Sequence, residues 1–332
     1  MTRVAAVLPA YNVEREIGAV LLSLPSLFDT VIVVNDGSRD QTGAIAERHA
    51  ATDPRITVLH HAMNRGVGAA MITGFRAALE VNADIIVKID ADGQMPLWLV
   101  PQLIAPLIRG DADYTKGNRF RDFEAVSAMP FARRVGNVAL SFLAKAATGY
   151  WRSFDPTNGF VAIRADVLSQ LPLHKIDPTY FFEISMLSRL YLIGAVVKEI
   201  PCPARYAGET SSLSIPSVLR QFPGRLLWSL IRRIVLKHYV YDFNLASLHL
   251  AIGLPLFLAG VGIGGWNWIW YTSRQLAAPT GTVVLPALMI MVGVQLLLSA
   301  MQFDLEAVPR EPMNRGPLAV AERQQSAPAP VR

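Results

Sequence analysis

Asp84-Ile-Ile-Val-Lys-Ile-Asp-Ala-Asp-Gly-Gln94 joins a short apolar run to a pair of acids without a break. The run stops at Asp90, Asp92 and Gly93, the pattern of a buried strand closing in a turn. Three earlier apolar runs behave alike. Val4–Leu8 leads to Pro9-Ala-Tyr-Asn12, Val31–Val34 to Asn35-Asp36-Gly-Ser38, and Ile56–Leu59 to His60-His61. The intervening spacing predicts helices over Glu14–Leu24, Gln41–Ala51 and Val67–Val81, and a further one over Leu97–Arg109. Strand and helix in strict alternation predict an α/β fold, a mostly parallel sheet wrapped by helices. In such sheets ligands bind at the carboxyl ends of strands, near a switch in strand order. The residues that close each strand are therefore the informative ones.

Working outward, composition excludes both a wholly disordered chain and an ordinary fully soluble domain. Charged residues are 17% of the 332, against about 25% for soluble domains, and hydrophobic residues are 52%. The apolar excess is local. Leu250–Ser273 and Gln275–Phe303 contain no Asp, Glu, Lys or Arg, and each reaches the roughly 20 residues a membrane-crossing helix needs. Arg274 and Pro279 lie in the turn between them, and Trp266, Trp268, Trp270 and Tyr271 stand where an interfacial aromatic belt would lie. A two-helix transmembrane hairpin is expected. Before it, Arg225, Ser229, Arg232, Arg233 and Lys237 share one helical arc, and Leu227, Leu230, Ile231, Ile234 and Val235 the opposite one. That is the pattern of an amphipathic helix on an anionic membrane surface, and it argues against nucleic acid as the partner.

The segments so defined are an α/β domain over 1–212, amphipathic juxtamembrane helices over 213–244, two transmembrane helices over 245–303, and a disordered tail over 304–332, rich in Pro, Gln and Ala. Met1–Pro9 runs straight into the first strand and does not read as a signal peptide. Positive charge before the first span, against Arg274 alone between the spans, puts the large domain and both termini in the cytoplasm of a multi-pass inner-membrane protein. The membrane segment could also support a homo-oligomer.

Taken alone, Asp90-Ala-Asp92 stays open between a solvated turn and a site for a hard cation such as Mg²⁺ or Mn²⁺. Other signals are weaker. Gly66-Val-Gly68 imitates a dinucleotide fingerprint, but Met71 holds the third glycine position and the first strand is not the one it follows. His60-His61 lacks further ligands at zinc spacing, and neighbours on a strand point to opposite faces. Cys202, the one cysteine, cannot form an internal disulfide and reads as structural.

The strand-end motifs resemble, in order and spacing, those of glycosyltransferase family 2: Pro9-Ala-Tyr-Asn12, Val34-Asn-Asp-Gly-Ser-Arg-Asp40, Asn64-Arg-Gly-Val-Gly68 and Lys88-Ile-Asp-Ala-Asp-Gly-Gln-Met-Pro96. The resemblance covers roughly residues 3–212 and is strongest toward the polyprenyl-phosphate glycosyltransferases. It implies a GT-A fold, a UDP- or GDP-linked sugar donor, a polyprenyl phosphate acceptor at the bilayer, and Mg²⁺ or Mn²⁺. By the same resemblance Pro9, Tyr11 and Asn12 line the nucleotide site, and Asp36 bonds the base or ribose. Asp90, Asp92 and Gln94 hold the metal and diphosphate. Arg119 and Arg205 reach the phosphates. Asp155 orients sugar or acceptor, and Glu183 is the acidic residue of the following helix. Asn35, where the family usually has an acid, and the absence of lysine in Gly208-Glu-Thr-Ser211 depart from the pattern.

The expected chemistry is an inverting sugar transfer for cell-envelope glycans or glycoconjugates, with Asp92, Asp155 and Glu183 as catalytic candidates. Two rivals stand beside it. One is transfer to a lipid or glycan hydroxyl with Glu183 as base; the other is a non-catalytic membrane scaffold that keeps the fold.

Overall fold

In the computed structural model, residues 2–119, 131–156, 158–203, 215–314, 316 and 318 are described, the side chains of 131–139 and 215–221 excepted. Arg205 therefore lies outside the described residues, as do most of the final residues. The chain divides into two compact units, one of residues up to Ser229 together with the chain from Pro309, the other Leu230–Val308.

The first unit is built on a seven-stranded sheet. Its strands are β1 (Val4–Ala10), β2 (Thr30–Asn35), β3 (Ile56–His60), β4 (Ile85–Lys88), β5 (Tyr114–Asn118), β6 (Val161–Arg164) and β7 (Val197–Pro201). The spatial order is β3-β2-β1-β4-β6-β5-β7. β1 to β4 pair in parallel, β5 pairs in parallel with β7, and β6 runs antiparallel between β4 and β5. Strands β1, β2 and β4 are buried on both faces, which is why they read as unbroken apolar runs and not as alternating ones.

Helices α1 (Ile17–Ser23), α2 (Thr42–Ala50), α3 (Val67–Glu80) and α4 (Val100–Ile108) follow the first four strands, and α4 is entered through a 3-10 turn at Leu97–Leu99. Helix α5 (Phe131–Thr148) precedes β6, and α6 (Phe182–Leu192) precedes β7. The chain runs outward from β1 through β2 to β3, then returns to place β4 on the other side of β1. That reversal is the switch point. A parallel sheet opens a crevice there, between the carboxyl ends of β1 and β4.

The expectation of a disordered tail from residue 304 does not hold over its first part. The last helix continues to Glu306, and the chain beyond Pro309 docks on the first unit. Met313 N–H donates to both oxygens of Asp113 at 3.1 Å. Asn314 Nδ2 donates to Asp166 at 2.6 Å, Arg164 Nη1 to the Gly316 carbonyl at 3.3 Å, and Leu318 N–H to the Ile108 carbonyl at 2.8 Å. Leu318 also packs against the main core. The segment has no hydrophobic period to betray it, because backbone groups meeting buried polar partners hold it in place.

The second unit takes the end of α7 (Ile215–Val235), a π-helical turn at Leu236–Tyr241, then α8 (Leu245–Ser273) and α9 (Thr280–Glu306). Both α8 and α9 are long and apolar enough to cross a membrane, and less than a quarter of their most apolar stretch is buried. They pack antiparallel along small residues at seven-residue intervals. Ala246, Gly253 and Gly260 are buried on α8, and Pro286, Gly293 and Ala300 on α9. A Cβ on Gly293 would stand 2.7 Å from the Phe257 backbone nitrogen, so close backbone approach makes this seam, as between helices in lipid.

The basic arc expected on the membrane surface is partly used inside the protein. Arg233 is buried and donates two bonds to Asp304, at 2.6 and 2.9 Å, and His238 Nε2 lies 3.3 Å from the same carboxylate. Arg225 pairs with Asp177 at 3.2 Å within the first unit. Helical projection gave both residues the direction of Arg232 and could not show that acids from distant sequence wait on that side. The apolar arc does face outward, with Leu227, Ile231 and Val235 exposed.

Deleting residues 309–332 should lower the unfolding free energy of the first unit by about 2–4 kcal/mol, from several net hydrogen bonds of about 1 kcal/mol each and a buried Asp113 left short of donors. Thermal or denaturant unfolding in detergent, compared with the full chain, checks this.

Candidate active site

The crevice at the switch point is framed by two strand ends. β1 delivers Pro9 and then Tyr11, which is exposed, and Asn12 at φ 52°. Asn12 ties this end to the β2 loop: its N–H donates to Ser38 Oγ at 3.1 Å, and its Oδ1 accepts from Arg39 N–H at 2.9 Å. Asp36, expected to bond a base or ribose, is only 3% exposed. Its carboxylate accepts the N–H groups of Arg65 and Gly66 at 3.0 and 2.8 Å and lies 2.6 Å from His61 Nδ1. Asp36 thus shapes the crevice wall. It fixes the turn into α3, where Gly66 at φ 96° has no room for a Cβ beside the Pro178 carbonyl. His60 bonds separately, to Asn35 and Glu47.

β4 delivers the acids. Asp92 Oδ1 accepts Gln94 N–H at 3.0 Å, closing a tight turn over Gly93 at φ 74°. Asp90 N–H meets Met95 Sδ at 3.2 Å. Its carboxylate, one third exposed, takes a bond from Lys88 Nζ at 2.5 Å. Lys88 is 2% exposed, and on its other side Glu183 Oε1 lies 3.7 Å away. Glu183 occupies the first turn of α6, where the unpaired N–H groups favour negative charge. Burial pushes the Glu183 carboxyl above its ordinary range, with the Lys88 charge opposing. Burial also works against the Lys88 ammonium, but Asp90 and Glu183 prevail and its affinity for the proton is raised.

A second cluster centres on Asp155, which is fully buried. Arg119 grips it with Nε at 2.8 Å and Nη2 at 2.9 Å, a two-bond fork. Lys116 Nζ donates to the Asp155 backbone carbonyl. Burial lowers the Lys116 pKa to about 8, against the pull of Asp155, Glu199 and Glu183. For Asp155 burial acts upward, but the Arg119 bonds and nearby cations hold the carboxyl below its ordinary range. Glu199 on β7 braces the floor, accepting from Asn118 Nδ2 at 2.5 Å and Ser153 Oγ at 2.6 Å.

Of the residues expected from sequence, the structure brings Asp90 and Glu183 to one ammonium and Arg119 to Asp155. It sets Asp92 and Gln94 on the turn beside them, and Pro9, Tyr11 and Asn12 on the neighbouring strand end. Lys88 and Lys116 were not singled out as functional residues. Their signal is present, since each is a lysine inside a strand that is otherwise buried.

With this geometry in place, comparison with known proteins is decisive. The profile of glycosyl transferase family 2 matches residues 5–171, half of the chain. The chain belongs to glycosyl transferase family 2. It is a transferase of sugars, and its relatives point the same way. A UDP-N-acetylglucosamine–dolichyl-phosphate N-acetylglucosaminyltransferase of Methanococcus voltae is 33% identical, over 50% of this chain and 70% of that protein. An undecaprenyl-phosphate mannosyltransferase of Micrococcus luteus is 34% identical, over 60% and 82%. A polyprenol monophosphomannose synthase of Mycolicibacterium smegmatis is 33% identical, over 60% and 76%. Among solved structures, glucosyl-3-phosphoglycerate synthase of Mycobacterium tuberculosis shares the fold. Its TM-score is 0.51 at 22% identity, over 70% of this chain and 80% of that one.

The lowered pKa of Asp155 carries a sign. An acid held below its unfolded value stabilises the fold above that value, and the contribution fades as pH falls through the folded value. Asp155→Asn should therefore cost about 3 kcal/mol at neutral pH, the scale for breaking a buried pair. The gap to the native chain should narrow below the ordinary value of 3.8. Denaturant unfolding between pH 7 and 3 measures both.

Proposed function

We propose that this family 2 enzyme transfers one sugar, with inversion, from a nucleotide sugar to a polyprenyl phosphate at the cytoplasmic face of a membrane. The observation that carries the reading is the joint presence, in one chain, of the Asp90–Asp92 crevice and a hairpin with apolar residues facing outward. Relatives named for dolichyl, undecaprenyl and polyprenol phosphates match across most of their length. Arg274 between the spans, against several cations before them, favours a cytoplasmic catalytic unit.

Pro9 and Tyr11 offer a small apolar wall and an exposed ring to a nucleobase. Asp90 and Asp92 present hard oxygen donors on one turn. No group of three or more His, Cys, Asp or Glu suited to a metal occurs among the described residues. That donor set fits Mg²⁺ or Mn²⁺, which take one or two protein carboxylates and complete their shell with water and substrate phosphate. When bound there, the cation would supply charge neutralisation to the departing nucleoside diphosphate.

An acceptor phosphate is already an anion near neutral pH, so its oxygen attacks the anomeric carbon without surrendering a proton. The bond from that carbon to the diphosphate breaks, and the pair of electrons leaves with the nucleotide. Holding two anionic substrates together is the harder task. Arg119, half-exposed and fixed by Asp155, is the described cation placed to share it, with Arg205 as a further candidate. One observation favours a second reading. Burial raises the Glu183 carboxyl, as a base for a hydroxyl acceptor requires.

A panel of nucleotide sugars with polyprenyl phosphate and Mg²⁺ or Mn²⁺, read by mass spectrometry of the lipid, tests the proposal. Asp92→Ala should lose at least ~100-fold in turnover with the fold intact, and a chelator should silence the native chain. Full activity in either would overturn the metal-dependent mechanism. Glu183→Gln should cost about 10-fold or less with a phosphate acceptor, because no proton moves. A loss on the order of 1000-fold, with donor binding unchanged, would instead assign a hydroxyl acceptor.

A further inference from the structure

Lys88 has no role in the functional reading above, yet its charge is buried at the crevice. It is 2% exposed, with Asp90 Oδ1 at 2.5 Å on one side and Glu183 Oε1 at 3.7 Å on the other. Asp90 belongs to the donor turn after β4, whereas Glu183 opens a helix almost a hundred residues later. The ammonium thus lies within ion-pair distance of both acids. Its space is made by Gly159. A Cβ there would stand 2.2 Å from Lys88 Nζ, 3.0 Å from Asp90 Oδ2 and 3.5 Å from Glu183 Oε1. Any side chain at 159 would push the ammonium off both carboxylates.

We infer that Lys88 is a positioning residue that fixes Asp90 and Glu183 to one another and, by occupying an Asp90 oxygen, keeps the Asp90–Asp92 turn from binding a divalent cation tightly before the nucleotide diphosphate arrives. Two carboxylates with the Lys88 ammonium bonded to Asp90 make a poor cage for a divalent ion. The same two together with a diphosphate make a good one. The charge of Lys88 therefore sets the order in which cation and donor are held, and Gly159 is its specificity partner because only a residue without Cβ leaves the ammonium in place. The part of this concerning Asp90 and Glu183 in turnover rests on the proposed reaction. The part concerning the cation does not.

The test compares the native chain with Lys88→Met, Gly159→Ala and the double variant. Mn²⁺ binding is followed by electron paramagnetic resonance of the free ion, without nucleotide and with a nucleoside diphosphate. Thermal unfolding reports the fold. Lys88→Met should bind Mn²⁺ alone at least ~5-fold tighter than the native chain, and Gly159→Ala should move it the same way. Adding Gly159→Ala to Lys88→Met should change affinity less than ~2-fold, since the shorter methionine leaves nothing to displace. With a nucleoside diphosphate present, the native and variant affinities should converge. A purely structural lysine would lower the melting temperature without tightening Mn²⁺ binding. Unchanged or weaker Mn²⁺ binding in folded Lys88→Met would overturn the inference. If Lys88→Met does not fold, unchanged or weaker binding in Gly159→Ala does so.

Turnover is measured in parallel, where kcat should fall at least ~10-fold in both single variants. Absence of transfer by the native chain with every polyprenyl phosphate and nucleotide sugar would overturn the functional reading while the Mn²⁺ comparison still decides the role of Lys88.

Discussion

A lysine ammonium taken out of water at the end of a central strand is the constraint around which this site is arranged. Lys88 continues β4, which is buried on both faces, and its charge has no route to solvent. Removing an ion from water costs several kcal/mol even after relaxation, and only well-placed counter-charges offset that. Asp90 and Glu183 supply them. The requirement explains why Glu183 must enter the crevice from α6, why its carboxyl rests against a helix N-terminus, and why residue 159 has no side chain. Two strands away in the sheet the same problem recurs with Lys116, and there Asp155, Arg119 and Glu199 form a second cluster. Buried charge at this end of the sheet is thus held in two paired clusters, one around Lys88 and one around Lys116.

Topology decides where such a layer can exist. A sheet buried on both faces has room for charge only where its strands stop. The return of the chain from β3 to β4 separates the loops after β1 and β4 at their carboxyl ends, so the acids after β4 and the Pro9–Asn12 turn face a common gap. β6 runs the other way, which brings Asn158 and Phe160 to the same end of the sheet just before that strand begins. An antiparallel strand inserted between β4 and β5 therefore adds a wall to the crevice that a purely parallel sheet would lack.

These features were unevenly legible in the sequence. Apolar runs closing in Pro9-Ala-Tyr-Asn12, Asn35-Asp36-Gly and Asp90-Ala-Asp-Gly located β1, β2 and β4, because burial on both faces leaves so plain a trace. The charge-free stretches after Leu250 located α8 and α9 for a different reason, since these helices are apolar along their length while mostly exposed. What sequence could not convey was partnership across distance. Asp36 reads as an acid at a strand end, and nothing local shows that His61 and the Arg65 and Gly66 amides bond its carboxylate. Arg233 looked like a lipid-facing cation until Asp304 was found beside it. In both cases the local pattern gave the direction of a side chain, and only the fold supplied what lay in that direction.

The second unit, whose two long helices are apolar enough to cross a membrane, applies the logic of buried pairs on a different scale. Its helices α8 and α9 meet by close backbone approach at Gly253, Gly260 and Gly293, the kind of contact that holds helices together where the apolar effect does not. Such a seam fixes separation but resists sliding weakly, since small residues repeat every seven positions and a shifted register would still pack. The Arg233–Asp304 fork, with His238 on the same carboxylate, adds a charged contact between α7 and α9 beside that seam. A charged pair in an apolar setting strongly penalises any arrangement that separates it. It therefore specifies one register of α9 against the helix that precedes the hairpin.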